Sequence, residues 1–468
     1  MAPPADPRPG RRPRRRILAI LFVALIVVSG GFAAISYGRS AGWSWPGAGF
    51  AALASPGPAT ASAQPGSMTS NSPATPSATV PPPSPTADLP SQPAFPPPHS
   101  LSLSEQRAAA VRIQLQASLE RDRRRLGIPG VSVTILFGDG SSWTGISGLA
   151  DVTGDAPVTA DTAFALGSVS KTYTAALIVA LAGDGKIDLA APAATYLPTA
   201  KLDRHITVRM LLDHTSGLDD FFLHPPIDKA LLAHPEATWT PARSLRYVGK
   251  RYFAPGTGWH YSNTNYLYLG LIAERITGKP LAAALRERFF APLGLWATWY
   301  QAVDAPRSSL AHGYRFNGAN PSAKPIDLAD GSGVAPFRSV VTAAGGAGSI
   351  AATSADVANW ARLLYDGTAI GAAQTAAMVD DISTSAGYRP RVPYGLGVQV
   401  FKIDGRLTFG HSGRLLGFRA AVRHIPDSGT TIAVLTNQSR ADPGVIVEHL
   451  LSIVFTPPPL CNTCIRPS

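Results

Sequence analysis

Residues 173–182, Tyr-Thr-Ala-Ala-Leu-Ile-Val-Ala-Leu-Ala, would be apolar almost all round a helix. Such a helix must be covered by protein on every side, so the chain has to wrap it and place it at a centre. It stops at Gly183 and opens with Gly167-Ser168-Val169-Ser170-Lys171-Thr172. Residues three apart share a helix face, so Ser168 and Lys171 point the same way from the first turn. The unpaired N–H groups and the positive dipole end there favour anionic charge beside Ser168. Taken alone, the pair reads as a nucleophile beside a base or as an N-cap serine with a solvated lysine. The rest of the chain decides between them.

With 468 residues there is room for one large domain with appendages. Seven arginines against two aspartates precede Ser104, and the remaining 34 basic and 28 acidic residues leave only +6 of the formal +11. The folded part is therefore only mildly basic. It has no basic run interleaved with aromatics, so no nucleic-acid partner is expected. Cys461 and Cys464 are the only cysteines and lie in the tail, which excludes a disulfide scaffold or a cysteine-metal core.

In chain order, 1–16 is an arginine-rich basic segment expected to stay cytoplasmic, and 17–38 carries no charge. That length can cross roughly 30 Å of hydrocarbon as a signal-anchor, which places all that follows outside the cell membrane. A cleaved signal peptide is the rival, and Arg14-Arg15-Arg16 also permits a twin-arginine export signal. Residues 39–101 are rich in Pro, Ser, Ala and Thr and read as a disordered tether. A folded domain is expected over 102–456, with a tail at 457–468. Val111, Leu115, Leu119 and Leu126 predict an amphipathic helix ending at Gly127, followed by strands at 131–137 and about 143–146. Helical segments are predicted at 207–213, 264–277 and 280–290. Strands follow at 395–403, 407–410, 418–426 and 430–436, with a closing helix at 445–454. This order predicts an α+β fold: one antiparallel sheet assembled from both chain ends, flanked by helices, with a mainly helical subdomain inserted.

Two further stretches fit the first, Tyr261-Ser262-Asn263 and His411-Ser412-Gly413, the latter expected at the entry to a strand. With Ser168-x-x-Lys171 they resemble, in order and spacing, the S-x-x-K, Y-x-N and K/H-T/S-G signatures of serine hydrolases grouped with class C β-lactamases, D-alanyl-D-alanine carboxypeptidases and related esterases. Leu211-Leu212-Asp213-His214-Thr215-Ser216-Gly217-Leu218, Gly345-Gly346-Ala347-Gly348 and Tyr394-Gly395-Leu396-Gly397 also resemble that family. The likeness covers about residues 104–455. It implies Ser168 as nucleophile, Lys171 and Tyr261 as the groups that move its proton, and Asn263 as an amide serving Lys171 and substrate together. It further implies Ser412 and Arg414 near a substrate carboxylate, and the N–H groups of Ser168 and Arg414, beyond Gly413, as an oxyanion hole. His411 stands where many β-lactamases have lysine, which weakens a dedicated β-lactamase reading.

Other patterns lose. Gly410-His411-Ser412-Gly413 has Arg414 where a G-x-S-x-G elbow needs glycine. Gly346-x-Gly348 lacks the third glycine of a dinucleotide site. No H-E-x-x-H occurs, so neither a catalytic metal nor a cofactor is expected. His214 reads as structural. The leading expectation is a membrane-tethered D-alanyl-D-alanine carboxypeptidase-like hydrolase that takes a small-molecule or peptide substrate. An esterase or β-lactamase of the same type, and a non-catalytic penicillin-binding sensor, are the alternatives.

Overall fold

The computed structural model describes residues 103–316, 324–380 and 393–456. The expected basic segment, anchor, tether and cysteine-bearing tail lie outside these residues. Among the described residues no helix is long and apolar enough to cross a membrane.

The first helix, α1 (Leu103–Leu126), ends at Gly127, whose φ of 62° lets the chain turn back into β1 (Gly130–Leu136) and β2 (Ser142–Asp151). A short β3 (Ala156–Pro157) leads to α2 (Ser170–Gly183), the apolar helix. The middle of the chain is helical and includes α3 (Asn263–Thr277) and α4 (Ser354–Tyr365). Four strands return, β4 (Gln399–Ile403), β5 (Arg406–Leu415), β6 (Phe418–Ile425) and β7 (Thr430–Thr436), and α5 (Gly444–Phe455) closes the domain. The sheet runs β3-β2-β1-β7-β6-β5-β4, antiparallel throughout, with β1 joined to β7 by pairs such as Val133↔Val434. It is therefore built from both chain ends around an inserted helical part, as the order of elements predicts.

Alternation along β1 sorts the two faces. Val131, Val133 and Ile135 pack with Leu115, Leu119, Ile446 and Leu450 beneath α1 and α5. On the opposite face Ser132 and Thr134 are buried, and both hydroxyls bond Ser354 Oγ at 2.8 Å, at the start of α4. That face covers α2, buried from Ser170 through Leu181. Tyr173 stacks on Trp360 at 4.1 Å and 9°, with Phe290 edge-on at 5.8 Å. Buried hydroxyls on α2 are bonded outward: Ser170 Oγ accepts from Ile350 N–H, Thr172 Oγ1 from Trp360 Nε1–H, and Thr174 donates to the Gly346 carbonyl. An all-round buried helix thus leaves these polar groups satisfied.

Several boundaries differ from expectation. The expected strand at 407–410 continues to Leu415, so His411-Ser412-Gly413 lies within β5 and not at a strand entry. Gly410 and Gly413 serve close approach within this strand. A Cβ at Gly410 would sit 1.9 Å from the Val422 carbonyl oxygen, and one at Gly413 2.0 Å from that of Leu166. The expected 395–403 strand starts only at Gln399, because Gly397, at φ 78°, carries the chain over Ala175. The second strand is longer than expected, and the helix expected at 280–290 is a helical turn, Leu281–Leu285, running into a π-helical one, Arg286–Phe290. Gly413→Ala is expected to destabilise the protein by about 1–3 kcal/mol through overpacking and to slow modification of Ser168. Denaturant unfolding and labelling by a fluorophosphonate measure the two effects; wild-type values for both would remove the close-approach explanation.

Candidate active site

Ser168 sits on a 3₁₀ turn, Gly167–Val169, that runs into α2, and not on the first α-helical turn itself. Gly167 has φ 51°, and a Cβ there would lie 2.7–3.0 Å from backbone atoms of Arg414. The turn and β5 are thereby pressed together, which sets the Arg414 backbone beside the serine. Ser168 is 5% exposed and Lys171 0%.

Lys171 Nζ donates to Asn263 Oδ1 at 2.7 Å, to the Ala347 carbonyl at 3.0 Å and to Ser168 Oγ at 3.2 Å. Three donors meet three acceptors, each from a different element, so the ammonium is fully bonded. Burial still pushes its pKa down from 10.5 to about 7, against the opposing pull of Asp220. Once deprotonated the amine has a lone pair, and its longest contact is the one to the Ser168 hydroxyl. A base and a nucleophile share that hydrogen bond.

The Tyr261 ring lies beside this pair, with its centroid 4.9 Å from Lys171 Nζ. Beneath it sits the His214 ring, at 4.4 Å. His214 is read from sequence as structural, and the geometry gives that role content: its Nδ1 accepts the Ser262 N–H at 3.1 Å, next to Tyr261 in the chain. Burial, with Lys171 nearby, holds it well below its ordinary pKa and so neutral.

Asn263 takes Lys171 on its oxygen at 2.7 Å, and its amide nitrogen directs one of its two hydrogens to Asp220 Oδ2 at 2.8 Å. Asp220 is wholly buried and was not singled out from sequence; the only cue was an Asp-Asp pair facing Phe221-Phe222.

His411 is 1% exposed. Its Nδ1–H donates to the Ser412 carbonyl at 2.6 Å and its Nε2 accepts the Tyr394 hydroxyl at 2.9 Å. Burial, then Lys171, pushes its pKa to about 3, so it is neutral where a lysine would be charged. Beside Ser412 the fixed cation is Arg423, on β6, another residue not anticipated. Its Nη2 donates to Ser412 Oγ at 2.7 Å and to Gln399 Oε1 at 3.2 Å. A charged residue within the otherwise buried strand 418–425 was the available signal. The Arg414 side chain is half-buried, and its backbone is what packs against the Ser168 turn at Gly167. Asp151, His312 and Asp327 form a cluster of metal-ligand type, drawn together by His312 Nδ1 contacts of 3.4 and 2.9 Å to the two carboxylates.

A buried serine–lysine pair on a central helix, faced by a tyrosine and by one strand of an antiparallel sheet, defines a class. The chain belongs to the Beta-lactamase family, whose model matches residues 115–451. It is a serine hydrolase of the β-lactamase and penicillin-binding protein type. It is similar to penicillin-binding protein 4 of Amycolatopsis lactamdurans, 30% identical over 66% of this chain and 81% of that protein. A D-aminopeptidase of Brucella canis is 28% identical over 62% of this chain, which spans about half (52%) of that protein. Among solved structures, the D-stereospecific amidohydrolase of Streptomyces sp. matches with 28% identity and TM-score 0.62, over 74% of this chain and 98% of that one. The D-amino acid amidase of Ochrobactrum anthropi SV3 with D-phenylalanine matches with 25% identity and TM-score 0.64, over 74% and 99%.

Only neutral Lys171 can take the Ser168 proton, and it is neutral above about pH 7. Labelling of Ser168 by a fluorophosphonate is therefore expected to plateau above that value and to fall about tenfold per pH unit below it. His411, neutral down to about pH 3, contributes no limb to the profile. A rate independent of pH would contradict Lys171 as the titrating base.

Proposed function

We propose that the protein is a D-alanyl-D-alanine carboxypeptidase-like peptidase that acts through an acyl-enzyme on Ser168. The observation that carries this reading is the fully buried Lys171, bonded to Ser168 Oγ and held near pKa 7. Neutral Lys171 takes the hydroxyl proton as Oγ attacks the substrate carbonyl carbon. The N–H groups of Ser168 and Arg414 receive the oxyanion, each typically worth about 3 kcal/mol. The amide C–N bond then breaks as Tyr261 passes the proton to the leaving amine, and water hydrolyses the Ser168 ester by the reverse route.

The choice of a carboxypeptidase over an amidase rests on Ser412. Its oxygen accepts from the buried Arg423 guanidinium, which leaves the Ser412 hydroxyl proton free to donate to an acceptor. An anionic acceptor beside a buried cation fits the C-terminal carboxylate of a peptide. The D-configuration is supported by the D-aminopeptidase and D-amino acid amidase relatives. We further place the domain outside the cell, tethered by 39–101 to an anchor at 17–38 whose arginine-rich flank stays cytoplasmic.

Ser168→Ala is expected to abolish turnover of a D-Ala-D-Ala peptide and labelling by fluorescent penicillin; retained turnover would refute the nucleophile. Ser412→Ala is expected to raise KM about tenfold or more for the free-carboxylate peptide, as loss of a hydrogen bond to a charged group does, while leaving the C-terminally amidated peptide unaffected. Equal loss on both peptides would point to an amidase. Protease protection of the catalytic domain in intact cells would overturn the topology.

A further inference from the structure

Asp220 is a wholly buried carboxylate with no cation in direct hydrogen-bond contact among the described residues. It is 0% exposed, its Oδ1 accepts the Phe222 N–H at 3.1 Å, its Oδ2 accepts the Asn263 side-chain amide at 2.8 Å, and the Asn263 backbone N–H also favours its charged form. These hydrogen bonds satisfy part of its acceptor capacity but do not neutralise a charge. The Asn263 amide joins it to Lys171, since Oδ1 takes the ammonium while Nδ2 gives to the carboxylate. The amide dipole is thus aligned from anion to cation across one side chain. Titratable groups near Asp220 include its neighbour Asp219 and Tyr252, neither of them cationic, and His224 Nε2 lies 4.0 Å from Asp219 Oδ2. His214, packed under Tyr261, is neutral.

We propose that Asp220 is a positioning residue: the buried counter-charge of Lys171, acting through Asn263 to set the protonation state in which the lysine meets substrate. The inference rests on the reading of Lys171 as the base for Ser168. With the anion in place, the ammonium formed when Lys171 takes the serine proton has a counter-ion already oriented, and no ion or water need enter a closed site. Without it, the same proton transfer would leave a lone buried cation. The geometry agrees with the directions of titration. Burial raises Asp220 to about 7 and lowers Lys171 to about 7, while each charge pulls the other back towards ionisation.

One test reads stability and needs no substrate. Lys171→Met strips Asp220 of its cation, so its carboxyl takes up a proton more tightly in the folded state than in the unfolded one. Stability is then lost as pH rises from the ordinary carboxyl range through the folded value, and levels off above it. Wild type recovers above about pH 7, because its lysine is held low when folded and the unfolded state binds the extra proton. The Lys171→Met protein lacks that recovery. Its melting temperature is expected to keep falling between about pH 6 and about pH 9, and adding Asp220→Asn to remove the slope. A flat Lys171→Met profile, or a slope that survives Asp220→Asn, overturns the proposal. If the Asp220→Asn protein does not fold, the Lys171→Met slope alone decides.

The second test reads acylation. Asp220→Asn removes the charge and keeps one of the two acceptor oxygens, so the acid limb of Ser168 labelling is expected to move about one unit to lower pH, with the plateau kept within about threefold. Asp220→Ala, which removes both acceptors, lowers the plateau further. An unmoved limb in Asp220→Asn, with both variants merely less stable, would make Asp220 a packing residue. A protein that turns over no substrate would sink the proposed activity and still leave the stability slopes to judge the charge pair.

Discussion

A lysine taken wholly out of water must have its hydration replaced by fixed partners, because a bare buried ammonium costs several kcal/mol or simply loses its proton. Lys171 meets that requirement with an asparagine, a carbonyl and a serine drawn from three parts of the chain. Much of the architecture can be understood as what it takes to hold those three in place. The Ala347 carbonyl comes from the glycine turn Gly345–Ala347, and the preceding carbonyl, of Gly346, is fixed by Thr174 one turn further along α2. Asn263 begins α3, and the Ser262 hydroxyl before it is tied to the Asp219 carbonyl, next to Asp220. Shifting any of these elements would expose the lysine or strand it, so the packing of α2 and the basicity of Lys171 are one property.

The sheet contributes from the other side. An antiparallel sheet made from both chain ends leaves β5 beside β6 and β4, with its backbone pressed on the Ser168 turn through Gly167 and Gly413. Close contact of backbone with backbone is possible only where no Cβ intervenes. The same two glycines therefore join the halves of the fold and bring the Arg414 main chain to the serine. Covering the far face with α1 and α5 makes the strands rigid supports.

The sequence made the order of elements and the central helix legible because both rest on local pattern: all-round hydrophobicity for α2, alternation for β1, turn residues between the last strands. Ser168, Lys171 and Asn263 were legible for a different reason, their type and spacing, and they do meet in a chain of hydrogen bonds. What stayed hidden depends on contacts between distant segments. The close approaches at Gly410 and Gly413 were not legible, because glycine has the same local signature whether it serves a turn or a close approach. Asp220 and Arg423 were invisible because their meaning lies in what faces them after folding: 43 residues separate Asp220 from Asn263, and 11 separate Arg423 from Ser412. The inward donation of the Asn263 amide could not be inferred without Asp220 in place.

The replacement of lysine by His411 is then less a loss of charge than a relocation of it. A lysine on β5 would put a mobile ammonium near Lys171, where each cation would lower the other's affinity for its proton. His411, neutral and held between Tyr394 and its own strand, adds no such field. The positive charge sits one strand away on Arg423, always protonated in practice and fixed by bonds to Gln399, Ser412 and the Val422 carbonyl. A guanidinium immobilised behind a serine presents its charge through that hydroxyl, in one direction. Such an arrangement keeps the Arg423 charge apart from Lys171, and the proposed action of Asp220 on Lys171 then meets no competition from a second ammonium on β5.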